Sequence, residues 1–420
     1  MCQRTARTMT MNECEEWEIV SPSPASKEVE QCASSGNQIS EQDFRDGSLS
    51  RAQIATYQKC FDRDSTGAVA QNAATERPIF GLTKSRKVVQ SSLSPYFSID
   101  IGSMPATNQQ DSGRCWMFGA LNLFRFGTSE KLNVENFEFS ESYLYLFYKL
   151  ELANFFLQRI IEWKDRPLSD RQLSGYLDCP IDDGGDWGIA VALIDKYGLV
   201  PKSYFPESHS SANTDNLLDI VNQLLQSCAC QMRKNAQHGD SIESLRVFKE
   251  KVLNDVYRIL TIHLGTPPES FDWKWCDEEG NFHVVPDISP KEFCKSFVTT
   301  PYKSYVALVQ DPRHEYYQRY TTKNSLPIEG SGDLVFVNIP AEEMKQTALK
   351  MLHSGNPVYF ACNVGEELDN EDGLWDANLY NVAGFYGLDS MKPSMTKAEK
   401  IEFGGTMGSK LLTQSVLCCC

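Results

Sequence analysis

The chain has 420 residues, a formal net charge of −16, 14 cysteines, 41% hydrophobic and 23% charged residues. That length buries a core of two or three layers, and the acidic balance works against general binding to nucleic acid or to an anionic membrane surface. Residues 1–20 hold no apolar core of secretory-leader length and no stretch is long enough to span a bilayer, so we expect a cytoplasmic protein with reduced thiols, no membrane contact and no nucleic-acid partner.

Residues 1–40 are polar, rich in Ser and Glu, and without periodicity; they predict a disordered arm. A helical pattern follows over 40–60, opening a region that we place at 41–210. Its informative stretch is Thr107-Asn108-Gln109-Gln110-Asp111-Ser112-Gly113-Arg114-Cys115-Trp116. From 115 to 126 there is no proline and no β-branched residue, and nearly every position is apolar, which predicts a buried helix. Asp111 and Ser112 offer N-cap oxygens and Gly127 a stop. Cys115 then falls in the first helical turn, where the macrodipole favours the thiolate. Gln109 lies in a turn that folds back toward the helix start, and its amide can donate to an oxyanion formed by attack of that thiolate. The plain alternative for Cys115 is a packed core thiol.

A long helix is expected after Ser140, its N-cap, with Leu144, Phe147, Tyr148 and Leu152 as an apolar stripe. In Asp182-Asp183-Gly184-Gly185-Asp186-Trp187 the paired glycines let a backbone approach a bound chain; the alternative is a simple turn before a helix over 188–197. Residues 211–300 are placed as a helical insertion; its helical pattern runs over 211–265, with Leu217, Leu218, Ile220, Val221 and Leu224 on one face, and is ended by Pro267-Pro268. Residues 271–275 and 282–285 alternate as strands do. Cys228, Cys230 and His238 lack zinc-site spacing, so no metal and no cofactor is expected. Residues 301–420 form a partial β-rich lobe with strands over 305–309, 334–339 and 358–364 and a helix over 341–352.

Thr107-Asn108-Gln109 followed by Ser112-Gly113-Arg114-Cys115-Trp116 resembles the bleomycin hydrolase (aminopeptidase C) group of papain-like cysteine peptidases. So do Asp183-Gly184-Gly185, Asp195-Lys196-Tyr197-Gly198-Leu199-Val200-Pro201 and Trp375-Asp376-Ala377-Asn378-Leu379-Tyr380. The resemblance implies an α+β, papain-like, two-lobed fold with a helical insertion and a β-barrel lobe. It implies Cys115 as nucleophile, Gln109 in the oxyanion hole, and Asp183, Gly184 and Gly185 at the peptide substrate. Removal of amino-terminal residues through a thioester is the implied activity, and a homo-hexamer the implied assembly.

A cysteine peptidase also needs a base and a group that orients it. In the family a histidine follows a Phe-Gly phrase, and an Asn-Ser-Trp phrase comes later. Here Phe403-Gly404-Gly405-Thr406 starts that approach, Leu412-Thr413-Gln414 carries glutamine where the histidine is expected, and no Asn-Ser-Trp occurs. The six histidines are His209, His238, His263, His283, His314 and His353. His263 falls at a papain-like distance from Cys115 but ends the helical insertion. The β-lobe is therefore expected to be incomplete and the chain as written inactive, the alternative being a truncated subunit that assembles with full-length hexamers.

Overall fold

The computed structural model describes residues 47–92, 96–102, 104–321, 326–362, 367–369, 371–388 and 395–403. The arm expected over 1–40 and the stretch 404–420 lie outside them. The described chain forms two compact units.

The smaller unit joins an early segment to a late one. Its helices are α1 (Arg51–Phe61), α2 (Ser65–Glu76), α3 (Ile79–Thr83) and α4 (Arg86–Ser92). The described part of the 40–60 prediction is α1, started by a capping box between Ser50 and Gln53. The late segment supplies a ladder of Leu368–Asp369 against Leu374–Trp375 and a short helix, Val382–Tyr386. Backbone bonds stitch the two: Ser85 N–H to the Leu379 carbonyl at 2.7 Å and Asn381 N–H to that of Thr83 at 2.8 Å. Lys84 joins Asp369 and Asp372, and Phe80 meets Tyr380 edge-on at 5.1 Å.

The larger unit begins with α5 (Cys115–Leu132) and is built around α6 (Glu141–Glu162). The Ser140 hydroxyl accepts from Tyr143 N–H at 3.1 Å, as its N-cap position predicts. Leu144, Tyr145, Leu146, Phe156 and Leu157 are fully buried, because four other helices pack on α6. They are α5, α8 (Trp187–Tyr197), α10 (Asp215–Gln237) and α11 (Ile242–Leu264). Between them lie the short α7 (Arg171–Asp178) and α9 (His209–Ala212).

Two sequence expectations fail here. Gly127 does not stop α5; the helix runs on to Leu132 and ends on Asn133 in the left-handed conformation, φ 51°. An interior glycine costs only about 1 kcal/mol against alanine, while Thr128, Ser129 and Leu132 beyond it are all buried. On α10 the buried face is Leu217, Val221, Leu225, Ala229 and Met232, stepping by four residues and at the last by three, and Ile220 is 44% exposed. A ridge along i, i+4 positions, which is what fits a neighbouring helix, excludes Ile220.

The strands β1 (Phe271–Cys276) and β2 (Phe282–Ile288), expected from their alternation, pair antiparallel, with Trp273 opposite Val285. Phe293 of α12 (Pro290–Phe297) packs against Trp273, Phe271 and Phe137, centring an aromatic cluster. A three-stranded sheet follows, order β3 (Ala307–Val309), β5 (Val335–Asn338), β4 (Arg319–Thr321), with β3 parallel and β4 antiparallel to β5. Fully buried Asn338 bonds the backbone of Asp311 in both directions and so shapes the loop between these strands. The helix α13 (Ala341–His353) follows. The strand expected over 358–364 is absent among its described residues, which hold only an isolated bridge position at Tyr359. There the side chains pack instead of a ladder forming: Tyr359 is buried and lies 5.4 Å from the Trp187 ring.

Candidate active site

The helix α5 starts without a side-chain cap. Arg114 holds the N-cap position, and its carbonyl accepts from Met117 N–H at 2.9 Å and Phe118 N–H at 3.0 Å. Asp111 and Ser112, offered as caps by the sequence, are used otherwise. Asp111 N–H donates to the Ala212 carbonyl at 2.9 Å, and Asp111 forms a bridge with Asn213. Ser112 Oγ donates to the Gln109 carbonyl at 2.6 Å and accepts from Arg114 Nε at 2.9 Å. A cap needs an oxygen facing the first helical N–H groups; Ser112 Oγ is turned to the Gln109 carbonyl and Arg114 instead, and no side-chain oxygen caps the helix.

That turn reverses the chain through Gln110, whose φ is 56°, a left-handed value uncommon outside glycine. Asn108 steadies it by accepting from Gln110 N–H at 2.9 Å. The Gln109 side-chain amide donates to the Ser112 carbonyl, which fixes the carboxamide and leaves its second N–H for another acceptor. Cys115 is exposed, so the packed-thiol alternative does not hold. It stands in the first turn of an otherwise buried helix, six positions after a side-chain amide tied down in the turn.

The Asp183-Gly184-Gly185 stretch lies against the same turn. The Asp183 carboxylate points inward and accepts from Gly113 N–H at 3.0 Å, Tyr145 OH at 2.8 Å and Thr214 Oγ1, and pairs with Lys149 Nζ at 2.8 Å. Burial by itself raises the Asp183 pKa, but the Lys149 ammonium and these donors outweigh it and pull it down to about 2. The Lys149 side chain is fully buried, and that burial holds its pKa below the usual lysine value in spite of Asp183. Trp116 Nε1 donates to the Asp183 carbonyl at 3.0 Å, and Tyr148 OH to that of Gly184. A Cβ on Gly185 would stand 2.3 Å from the Trp116 ring, so only glycine brings this backbone so close to the residue after Cys115.

The sequence reading missed Arg114, Lys149, Thr214 and Glu207. Arg114 is fully buried and bonds Glu207 through both terminal nitrogens, at 3.0 and 2.9 Å. A charge inside the apolar run of α6 was the available signal for Lys149, since a buried ammonium demands a partner. Nothing local marks Glu207 or Thr214.

The six histidines are distributed over the larger unit. His263 Nδ1 lies 2.9 Å from Ser210 Oγ of α9. His283 Nε2 lies 2.8 Å from Asp277 and its ring stacks on Trp275. His238 Nδ1 lies 2.7 Å from the Lys234 carbonyl, and His314 is 3.9 Å from Asp311. His209 opens α9 and His353 closes α13. The Phe403-Gly404 and Leu412-Thr413-Gln414 phrases fall outside or at the edge of the described residues. Cys228 and Cys230, two apart on α10, project to different sides of it, and no group of three potential metal ligands occurs among the described residues.

The Peptidase C1-like family matches residues 48–416. Aminopeptidase G of Lactobacillus delbrueckii subsp. lactis is 32% identical over 365 residues, 87% of this chain and 82% of that protein. Bleomycin hydrolase of Gallus gallus is 33% identical over 367 residues, 86% of this chain and 80% of that one. The crystal structure of PepW from Lactobacillus rhamnosis HN001 superposes with a TM-score of 0.81 at 30% identity, covering 85% of this chain and 80% of that chain.

Proposed function

The chain belongs to the Peptidase C1-like family and is a cysteine peptidase of papain-like α+β fold, and from that premise we propose that Cys115 is its nucleophile and the amino-terminal bond of peptides its target. The observation that carries this reading is the exposed Cys115 at the start of α5, behind a turn in which the Gln109 carboxamide is held. The Cys115 sulfur attacks the scissile carbonyl, the oxygen gains the electron pair and is met by the Gln109 amide, and the C–N bond breaks to leave a thioester. Gly184 and Gly185, held by Asp183, lend backbone groups to the extended peptide. Relatives named aminopeptidase support restriction to amino ends, and those named bleomycin hydrolase support hydrolysis of a drug amide.

The leaving amine needs a proton and the thioester needs an activated water. The partners of His238, His263 and His283 support a reading in which none of them serves Cys115. We therefore expect the 420 residues by themselves to label at Cys115 but to turn over almost no peptide. Limiting iodoacetamide followed by peptide mapping tests the nucleophile. Cys60, Cys179, Cys230 and Cys276 are exposed too, so exposure alone does not select Cys115; labelling of any of these before it overturns the assignment. Turnover of an aminoacyl fluorogenic substrate at the rate of an active relative, abolished by Cys115→Ala, overturns the expected inactivity. On the family resemblance we also propose a cytoplasmic homo-hexamer, which a solution mass of a single 47.4 kDa chain would exclude.

A further inference from the structure

The segment 207–214 makes more bonds to the Gln109–Cys115 turn than its sequence suggests. Glu207 accepts the whole Arg114 fork and also Ser211 Oγ at 2.5 Å. Arg114 then donates Nε to Ser112 Oγ, and Ser112 Oγ donates to the Gln109 carbonyl. The Gln109 carboxamide closes the loop on the Ser112 carbonyl. In parallel, Ser211 opens the way to Ala212, whose carbonyl takes Asp111 N–H, and Thr214 reaches Asp183. Arg114 is immobilised on its remaining faces by the rings of Phe118 and Tyr145, 5.0 and 5.6 Å from its guanidinium carbon. Burial would push the Glu207 carboxyl up, but Arg114 and Ser211 hold its pKa below the usual value, so the pair stays ionised.

A bidentate Arg–carboxylate pair is geometrically specific, because its two parallel hydrogen bonds fix both planes. Here the bond it makes inside the turn, to Ser112 Oγ, leads on to Gln109. We infer that the Arg114–Glu207 pair is a positioning device: through Ser112 it sets the place of the Gln109 carboxamide, and with it the oxyanion site, without touching substrate. This rests on Cys115 being the nucleophile and goes beyond it, since nothing in that role requires a buried arginine beside the cysteine.

The test separates the oxyanion site from the thiol. A peptide aldehyde adds the Cys115 thiol across its C=O; the S–C bond forms, the thiol proton ends on oxygen, and that oxygen occupies the Gln109 site. Its affinity reads the placement of Gln109. The alkaline plateau of iodoacetamide alkylation reads only access to the ionised sulfur. In the whole chain, Glu207→Gln is expected to weaken aldehyde binding by about 10²-fold, the effect a misplacement of about 1 Å can have, and to leave the alkylation plateau near that of the parent. Gln109→Ala should do the same, and the double variant should be no worse than Gln109→Ala alone, because both act through one group. Ser112→Ala, which cuts only the relay, should reproduce the loss with no charge left unpaired, and stands in if Glu207→Gln fails to fold. Unchanged aldehyde affinity in a folded Glu207→Gln or Ser112→Ala chain overturns the inference. So does a loss that multiplies with that of Gln109→Ala, since a general loosening of the fold would behave that way. If the parent itself neither binds aldehyde nor alkylates at Cys115, the nucleophile assignment has failed instead.

Discussion

Asp183→Ala should be among the most damaging single changes in the larger unit. Its carboxylate is only 14% exposed and meets a Lys149 ammonium with no exposure at all. With the folded pKa at about 2 and an unfolded value of about 3.9, the ionised form contributes about 2–3 kcal/mol near neutral pH. The sign follows from the depressed value: this contribution is present above about pH 4 and is lost as pH falls through about 2. Deletion does more than remove it, because Lys149 is left buried without its carboxylate. Breaking such a pair from one side costs about 3–5 kcal/mol, out of a total stability of about 5–15 kcal/mol. The depressed Lys149 pKa says that Asp183 does not fully offset the cost of burying the ammonium. Removing both charges should therefore be milder, and Lys149→Met in the Asp183→Ala chain should recover most of the loss. Urea unfolding followed by far-ultraviolet circular dichroism measures all three chains. A loss under about 1 kcal/mol for Asp183→Ala, or a double variant no more stable than the single, refutes the reasoning that this pair is a desolvated hub.

Two other changes test separate parts of the same region. Glu141 is buried, one of its carboxylate oxygens has no partner among the described residues, and burial pushes its pKa up to about 7 against the pull of Lys202 and Arg114 and with the push of Glu207; stability from this group is full below about pH 4 and lost as pH rises to about 7. Glu141→Gln should flatten that fall in a pH series of urea midpoints, and an unchanged slope would show that Glu141 titrates normally. Gly185→Ala drives a Cβ into the Trp116 ring and should cost about 1–3 kcal/mol, as overpacking does. Trp116→Phe in the same chain should return part of it; thermal melting with no loss would mean that the loop can move away.

The helix α5 with Cys115 at its start, and the family, were legible in the order of residues. Local causes suffice for them: an apolar run without helix breakers, a reversing turn before it, and a dipeptide of glycines beside a tryptophan. The Ser140 cap, the strand character of 271–275 and 282–285 and the helical character of the insertion up to about 265 were legible for the same reason; the pairing of the strands and the division into α10 and α11 were not. What failed were the statements that depend on a neighbour. Gly127 ends a helix only if nothing beyond it is buried, and Thr128, Ser129 and Leu132 are. Residues 358–362 are apolar enough for a strand, but a strand exists only against a partner, and Tyr359 packs on Trp187 instead.

The chain's order also could not join residues 79–85 to 379–381, or Arg114 to Glu207, or Lys149 to Asp183. Each pairing is a long-range choice made by burial. A charge taken out of water must be met by an opposite charge, and which one meets it is settled by where the helices bring the chain back. The order of residues therefore sufficed to mark Cys115 as the candidate nucleophile. What holds the surroundings of Cys115 in place emerges from packing alone, because the groups that do so are defined by desolvation, which no local pattern records.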